Sequence, residues 1–169
     1  MSLEFISIFE KGIWFGFAAL GFGVLFNVPQ RALLIIWLMG AAGGLTKLLL
    51  MHFSIDIVLA TFAGATLVGI LSVSAAHNKH APPLVFSIPA VIPMVPGAFA
   101  YRMMLGLIKL SGTAVTNETY SQTLGETASN GLKTLFILIS LAVGVAIPML
   151  ISRKETIKRI RHISDSDAE

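Results

Sequence analysis

The sequence predicts an all-α integral membrane protein of about five transmembrane helices, with the fourth helix broken by proline and glycine. Hydrophobic residues make up 55% of the 169 residues and charged residues only 12%, which is about half the charged fraction of a soluble domain. Nine of the charged residues lie within 153–169. Elsewhere the chain forms apolar runs of about twenty residues, the length that a helix needs to cross about 30 Å of hydrocarbon.

The first three spans are expected at about 8–26, 32–53 and 55–76. The first ends at a turn with the sequence Asn-Val-Pro-Gln-Arg, because proline and polar side chains are typical of a turn at the membrane surface. The third begins beside Ser54 and Asp56, and either side chain can accept the free amide groups of the first helical turn.

The fourth span, at about 84–110, contains Pro89, Pro93, Pro96 and Gly97. Each proline removes an amide donor and strains the preceding turn, so the helix is expected to kink or unwind. Counting from Leu84 at about 1.5 Å per residue places Pro96 roughly 18 Å into the bilayer. A helix that restarts there would direct free amides and a positive dipole end at a carboxylate. The alternative is a kink that only shapes packing.

The fifth span is expected at 131–151, after a polar outside loop at 111–130 and before a basic cytoplasmic tail at 153–169. Residues 1–152 then form one transmembrane domain. Seven of the twelve Lys and Arg residues fall on one side of a five-span chain, and basic residues favour the cytoplasmic side. The N-terminus is therefore expected outside the cytoplasm and the C-terminus inside.

Two cations, Lys47 and Arg102, lie well inside predicted spans rather than at their ends, and a charge there is costly and indicates function by default. Both are expected in the outer third of the bilayer, from which a long side chain can reach water. Lys47 can also pair with Asp56 across the outer turn. Arg102 is the stronger candidate, because it follows Tyr101 shortly after the break and both side chains can bind a carboxylate.

Small residues recur four positions apart in the first three spans. Close backbone approach at such positions drives helix association in lipid. The neighbouring helix can belong to this chain or to a second subunit. The pairs are Gly12 and Gly16, Gly40 and Gly44, and Ala60 and Gly64.

The residues offer little support for an enzyme. The chain has no cysteine, so thiolate nucleophiles and thiolate metal sites are excluded. His77 and His80 lack a third ligand nearby, and nothing resembles a phosphate-binding loop or a nucleophile elbow. We therefore expect no catalytic residue, cofactor or metal ion. Nucleic acid is not an expected partner either, because the basic residues follow the topology of a membrane protein.

Two segments carry a resemblance to a known family. They are the Asn-Val-Pro-x-Arg turn at 27–31 and the Pro-x-x-Pro-Gly-x-x-x-Tyr pattern that runs from Pro93 to Tyr101. With these segments the chain resembles the small membrane subunit of the threonine/serine exporter family, over nearly its whole length. The residues that match the family pattern, and are the candidate substrate-binding residues, are Pro93, Pro96, Gly97, Tyr101 and Arg102.

The resemblance implies an exporter subunit in the bacterial inner membrane. Its expected substrate is a small amino or carboxylic acid: threonine, serine, or a dicarboxylate such as succinate. Its expected partners are a larger membrane subunit of the same family, the lipid bilayer and a possible second copy of the chain. The alternative, from a different functional class, is a membrane scaffold or assembly subunit that does not transport.

The orientation can be tested with reporters fused after Glu169. We expect activity from a cytoplasmic reporter and none from a periplasmic one, because five spans place the basic tail inside. A fusion at Gly112 serves as the control and should give the reverse pattern. Periplasmic activity after Glu169 would show that the span count or the orientation is wrong.

Overall fold

The computed structural model describes residues 2–79, 81–112 and 117–166, and gives side chains for 5–79, 81–112 and 120–152. These residues form six α-helices and a short 3-10 turn at Ile92–Met94, with no β-strand among them. The helices are α1 (Ser2–Leu25), α2 (Gln30–His52), α3 (Ile57–Lys79), α4 (Leu84–Val91), α5 (Gly97–Ser111) and α6 (Asn117–Ser166).

Four helical segments are long and apolar enough to cross a membrane by themselves: Phe5–Leu25, Gln30–His52, Ile57–Lys79 and Tyr120–Ser152. A fifth span forms if Leu84–Met94 and Gly97–Ser111 are joined, and these two pieces are bent by 55° relative to each other. The predicted all-α membrane fold with a broken fourth helix is confirmed.

The segment before the last span differs from the expected outside loop at 111–130. Helix α6 begins at Asn117 and continues for 50 residues, a length of about 75 Å at about 1.5 Å per residue. The segment is helical because it packs on α5, where Gly106 faces Thr127 and Gly131 faces Met103. A polar composition indicated exposure, but it did not exclude a helix with one packed face. The side chains of the predicted basic tail lie outside the described residues.

The turn between α2 and α3 confirms one of the two predicted caps. The Val58 amide donates to Asp56 Oδ1 at 2.8 Å, so Asp56 satisfies one of the free donors of the first turn of α3. Ser54 contributes to the turn differently, with a φ of 62°. Asn27 has a φ of 55° in the turn between α1 and α2, a left-handed conformation that asparagine tolerates better than most residues.

Helix α2 lies at the centre and packs against α1, α3 and α4, while α6 packs against α3 and α5. The predicted small-residue pairs find their neighbours within the chain. Gly12 faces Leu45, Gly16 faces Trp37, and Gly44 faces the Phe15 ring. These contacts bring α1 onto α2, so packing within the chain accounts for the small residues of both helices.

The closest approach of α2 and α3 is at Gly43 and Gly64. A Cβ atom on Gly64 would lie 2.7 Å from the carbonyl oxygen of Gly43 and 3.3 Å from the sulfur of Met94. Met94 is fully buried and belongs to the 3-10 turn of the broken fourth span. We call this meeting point of α2, α3 and the 3-10 turn the glycine junction, and it is where the broken span is anchored.

Gly64→Ala should destabilise the protein by about 1–3 kcal/mol, the usual cost of overpacking a close contact, because the nearest obstacle is backbone. Gly21→Ala is the matched control, since nothing lies within 4 Å of a Cβ at Gly21. Thermal unfolding in detergent measures both variants. Equal stability of the two variants would contradict the close approach of α2 and α3.

Candidate functional site at the broken fourth helix

The fourth span breaks between Val91 and Gly97. After α4, the 3-10 turn places Pro93 at its start, and Val95 is extended with φ −59° and ψ 136°. Pro96 follows with φ −81° and ψ 57° and precedes α5. Neither proline has an amide hydrogen to continue the helix. The proline and glycine pattern therefore produces the predicted interruption.

Backbone groups at the break are partly satisfied by each other. The Val95 amide donates to Ile92 O at 3.0 Å, and the Gly97 amide donates to Val95 O at 2.9 Å. Pro96 O accepts from the amides of Phe99 and Ala100 at 3.2 Å. The amide of Gly97, which we expected to be free at the start of the second half-helix, is therefore occupied in this conformation.

The Met94 carbonyl has a partner from another helix. Lys47 of α2 is only 8% exposed, and its Nζ donates to Met94 O at 3.1 Å. The expectation that Lys47 extends to water or pairs with Asp56 is wrong. Helical side chains lean toward the N-terminus of their own helix, which directs Lys47 toward the glycine junction, while Asp56 is exposed and accepts from Val58.

Thr61 of α3 adds an unpaired hydroxyl to the same region. It is fully buried, and its Oγ1 has no hydrogen-bond partner. Helical spacing puts Thr61 on one face with Gly64 and Val68, and both of these residues contact Gly43. The helices run antiparallel here, so Lys47 and Thr61, one turn beyond the Gly43 and Gly64 contact on their respective helices, lie at one level.

The predicted site residues fall into two groups. Pro93 is half-buried, Pro96 is buried and Gly97 is exposed, and all three lie at the break. Tyr101 is 65% exposed and Arg102 is also exposed, because α5 turns its other face to α6. The structure thus brings the first three together and leaves Tyr101 and Arg102 on the open side of α5.

Sequence reasoning missed the role of Lys47, and it missed Lys133 altogether. The Lys133 ammonium of α6 lies 5.8 Å from the centre of the Phe99 ring, a cation–π distance, at the start of α5. A signal for Lys47 was present, because it follows Gly40, Gly43 and Gly44 at helical spacing. A residue on the same face as these glycines is expected to be buried against another helix. The estimate of depth from residue number did not consider on which face of the helix Lys47 lies.

An apolar groove of about 510 Å³ separates α4 from α6 and reaches the break. Ser87, whose buried Oγ has no hydrogen-bond partner, lines it together with residues on both sides of the 3-10 turn, among them Val91, Ile92 and Val95. A second cavity of about 400 Å³ joins the turn formed by Asn27, Val28 and Pro29 to Pro89 of α4. The turn that carries the first part of the sequence resemblance therefore lies beside α4, the helix that precedes the break.

Comparison with known proteins identifies the family. The sequence model described as "Threonine/Serine exporter, ThrE" matches residues 11–151. The chain belongs to this exporter family. An uncharacterized protein of Haemophilus influenzae is 35% identical over 133 residues, which cover 79% of this chain and 43% of that relative. The chain thus spans less than half the length of the relative.

No solved structure matches the chain. Membership of the ThrE family, together with the apolar helices, makes the chain a multi-pass membrane protein of a transport family.

Proposed function

We propose that this ThrE-family chain is a membrane subunit of a bacterial inner-membrane exporter of small carboxylate-bearing solutes. Threonine and serine are candidate substrates from the family description, and a dicarboxylate such as succinate has the same recognisable group. The observation that carries the proposal is the break at Pro93, Pro96 and Gly97 inside a membrane span. Irregular backbone at that depth is tolerated only against protein or a watery cavity, and transporters use such breaks to bind solutes.

The packing suggests how the break would work. Helix α4 packs on α1, α2 and α3, whereas α5 packs on α6. The 55° bend therefore separates a piece that packs on α1–α3 from a piece that packs on α6, and the groove between α4 and α6 lies beside it. Helix α6 also packs on α3, so the bend itself is the proposed moving part. A change in this bend that shifts α4 relative to α6 would open or close the groove, as alternating access requires.

Within this proposal, Pro93, Pro96 and Gly97 shape the break, while Tyr101 and Arg102 meet the carboxylate on the open side of α5. A guanidinium binds a carboxylate through two parallel hydrogen bonds, and a phenol can add a third. Both side chains are exposed, so in this conformation the open side of the site needs a covering surface.

A larger subunit of the same family is the proposed partner that covers this side. More than half of the Haemophilus influenzae relative lies outside the region matched by this chain. A protein that supplies the corresponding part in trans would complete the exporter. A second copy of the chain is the other candidate for this surface.

Export from the native cells tests the function and the partner together. Cells lacking this chain should lose export of labelled threonine, serine or succinate, and the wild-type chain should restore it. The chain expressed alone in a host without family members should give no export above background. Robust transport by the chain alone in liposomes would contradict the need for a partner. Normal export by cells lacking the chain would favour the scaffold alternative.

The same assay tests the predicted site. Arg102→Gln removes charged hydrogen bonds worth about 1.5–3 kcal/mol each, so the apparent affinity should fall about ten- to hundredfold. Pro96→Ala restores an amide donor and should also weaken transport while leaving insertion intact. Lys109→Gln, an exposed cation on the same helix, is the control and should transport normally. If both site variants transport normally at verified membrane levels, the break serves only packing.

A further inference from the structure

We propose that Lys47 and Thr61 form a buried anion site, in which the carboxylate of the solute replaces the carbonyl oxygen of Met94. This inference rests on the proposed function for the identity of the solute, but its geometry is independent of that proposal. It adds a buried binding element on α2 and α3 to the exposed residues of α5.

The first argument is the unbalanced charge. Among the described side chains, Lys47 forms no ion pair, and its one hydrogen-bond partner is a neutral carbonyl oxygen. An ammonium has three donors, and a buried cation is usually paired with an anion or with several acceptors. A carboxylate would supply both the missing charge and further acceptors.

The second argument is the unpaired hydroxyl of Thr61. Its Oγ1 is buried without a partner, although most buried polar atoms in proteins have one. It lies at the level of Lys47 across the antiparallel helices. A carboxylate has two oxygens, so the Thr61 hydroxyl can donate to the one that Lys47 Nζ does not bind. The two donors therefore start from one level of two adjacent helices, and the two oxygens of a carboxylate can bridge them.

The third argument is access. Lys47 is bound to the 3-10 turn rather than to a fixed helix, and the turn is flanked by residues of the α4 and α6 groove. Displacement of this turn would release Lys47 toward the groove. In the closed conformation, the Met94 carbonyl oxygen thus occupies the position that one carboxylate oxygen takes when the solute is bound.

Uptake into inside-out vesicles from the native cells tests the site, with labelled L-threonine and succinate as probes. Lys47→Met keeps the length of the side chain and removes its charge, so the half-saturating concentration should rise about ten- to hundredfold. Thr61→Val removes one neutral hydrogen bond and should raise it about two- to tenfold. Lys11→Met is the matched control and should behave as wild type, because Lys11 is exposed on α1.

Thermal stability of the purified native complex gives a readout that does not require transport. Succinate and L-threonine should stabilise the wild type more than sodium chloride at equal ionic strength, whereas succinamide and L-threoninamide should not. Lys47→Met should lose this stabilisation and Lys47→Arg should keep part of it. If Lys47→Met does not accumulate in the membrane, the comparison of carboxylate with amide on the wild type and on Thr61→Val decides the outcome.

The outcomes separate the two proposals. Two results would overturn the anion site and leave the export function standing. The first is that Lys47→Met takes up the probes and responds to carboxylates as the wild type does. The second is that the wild type takes up the probes but is not stabilised specifically by carboxylates. Stabilisation that depends on Lys47 in a protein that takes up none of the probes would support the site and count against export. Lower stability of Lys47→Met without any carboxylate effect in the wild type would show that Lys47 only clamps the break.

Discussion

A carbonyl group that the helix break leaves without a partner inside a membrane span is the constraint on which the rest of this structure depends. Hydrocarbon offers no hydrogen bonds, so each backbone group released by a helix break needs an internal partner. Most groups at the break find partners within a few residues. Met94 O is satisfied instead by Lys47, and this bond ties the interrupted fourth span to α2.

The glycines of α2 and α3 make that bond possible. Lys47 can reach the break only if the 3-10 turn lies directly on both helices, and the turn fits because neither Gly43 nor Gly64 carries a side chain. Met94 then fills the space above the two glycines and is completely buried. Small residues, a broken helix and a buried cation are thus parts of one arrangement, and a larger side chain at the glycine junction would disturb all three.

The features predicted correctly from sequence are those with a local physical cause. Proline removes an amide wherever it occurs, so the break was predictable, and long apolar runs indicated helices that can cross a membrane. The Asp56 cap likewise depends on a contact two residues away. The packing of Thr127 in the first part of α6 and the burial of Lys47 depend on contacts with distant segments, Gly106 for the first and Met94 for the second. Residue counting along one helix carries no information about such contacts.

In the proposed anion site, the bond between Lys47 and Met94 would also couple opening of the break to solute binding. If the 3-10 turn moves away with nothing in its place, an ammonium and a carbonyl both lose their partner in the interior. Leaving a buried polar group without its hydrogen bond costs about 1–3 kcal/mol, and more for a charged group. A carboxylate that takes the place of the carbonyl removes most of this cost, so it binds the open form better than the closed one. A ligand with such a preference shifts the equilibrium toward the open form. The closed form then prevails without solute, which limits leakage of other molecules through the groove between α4 and α6.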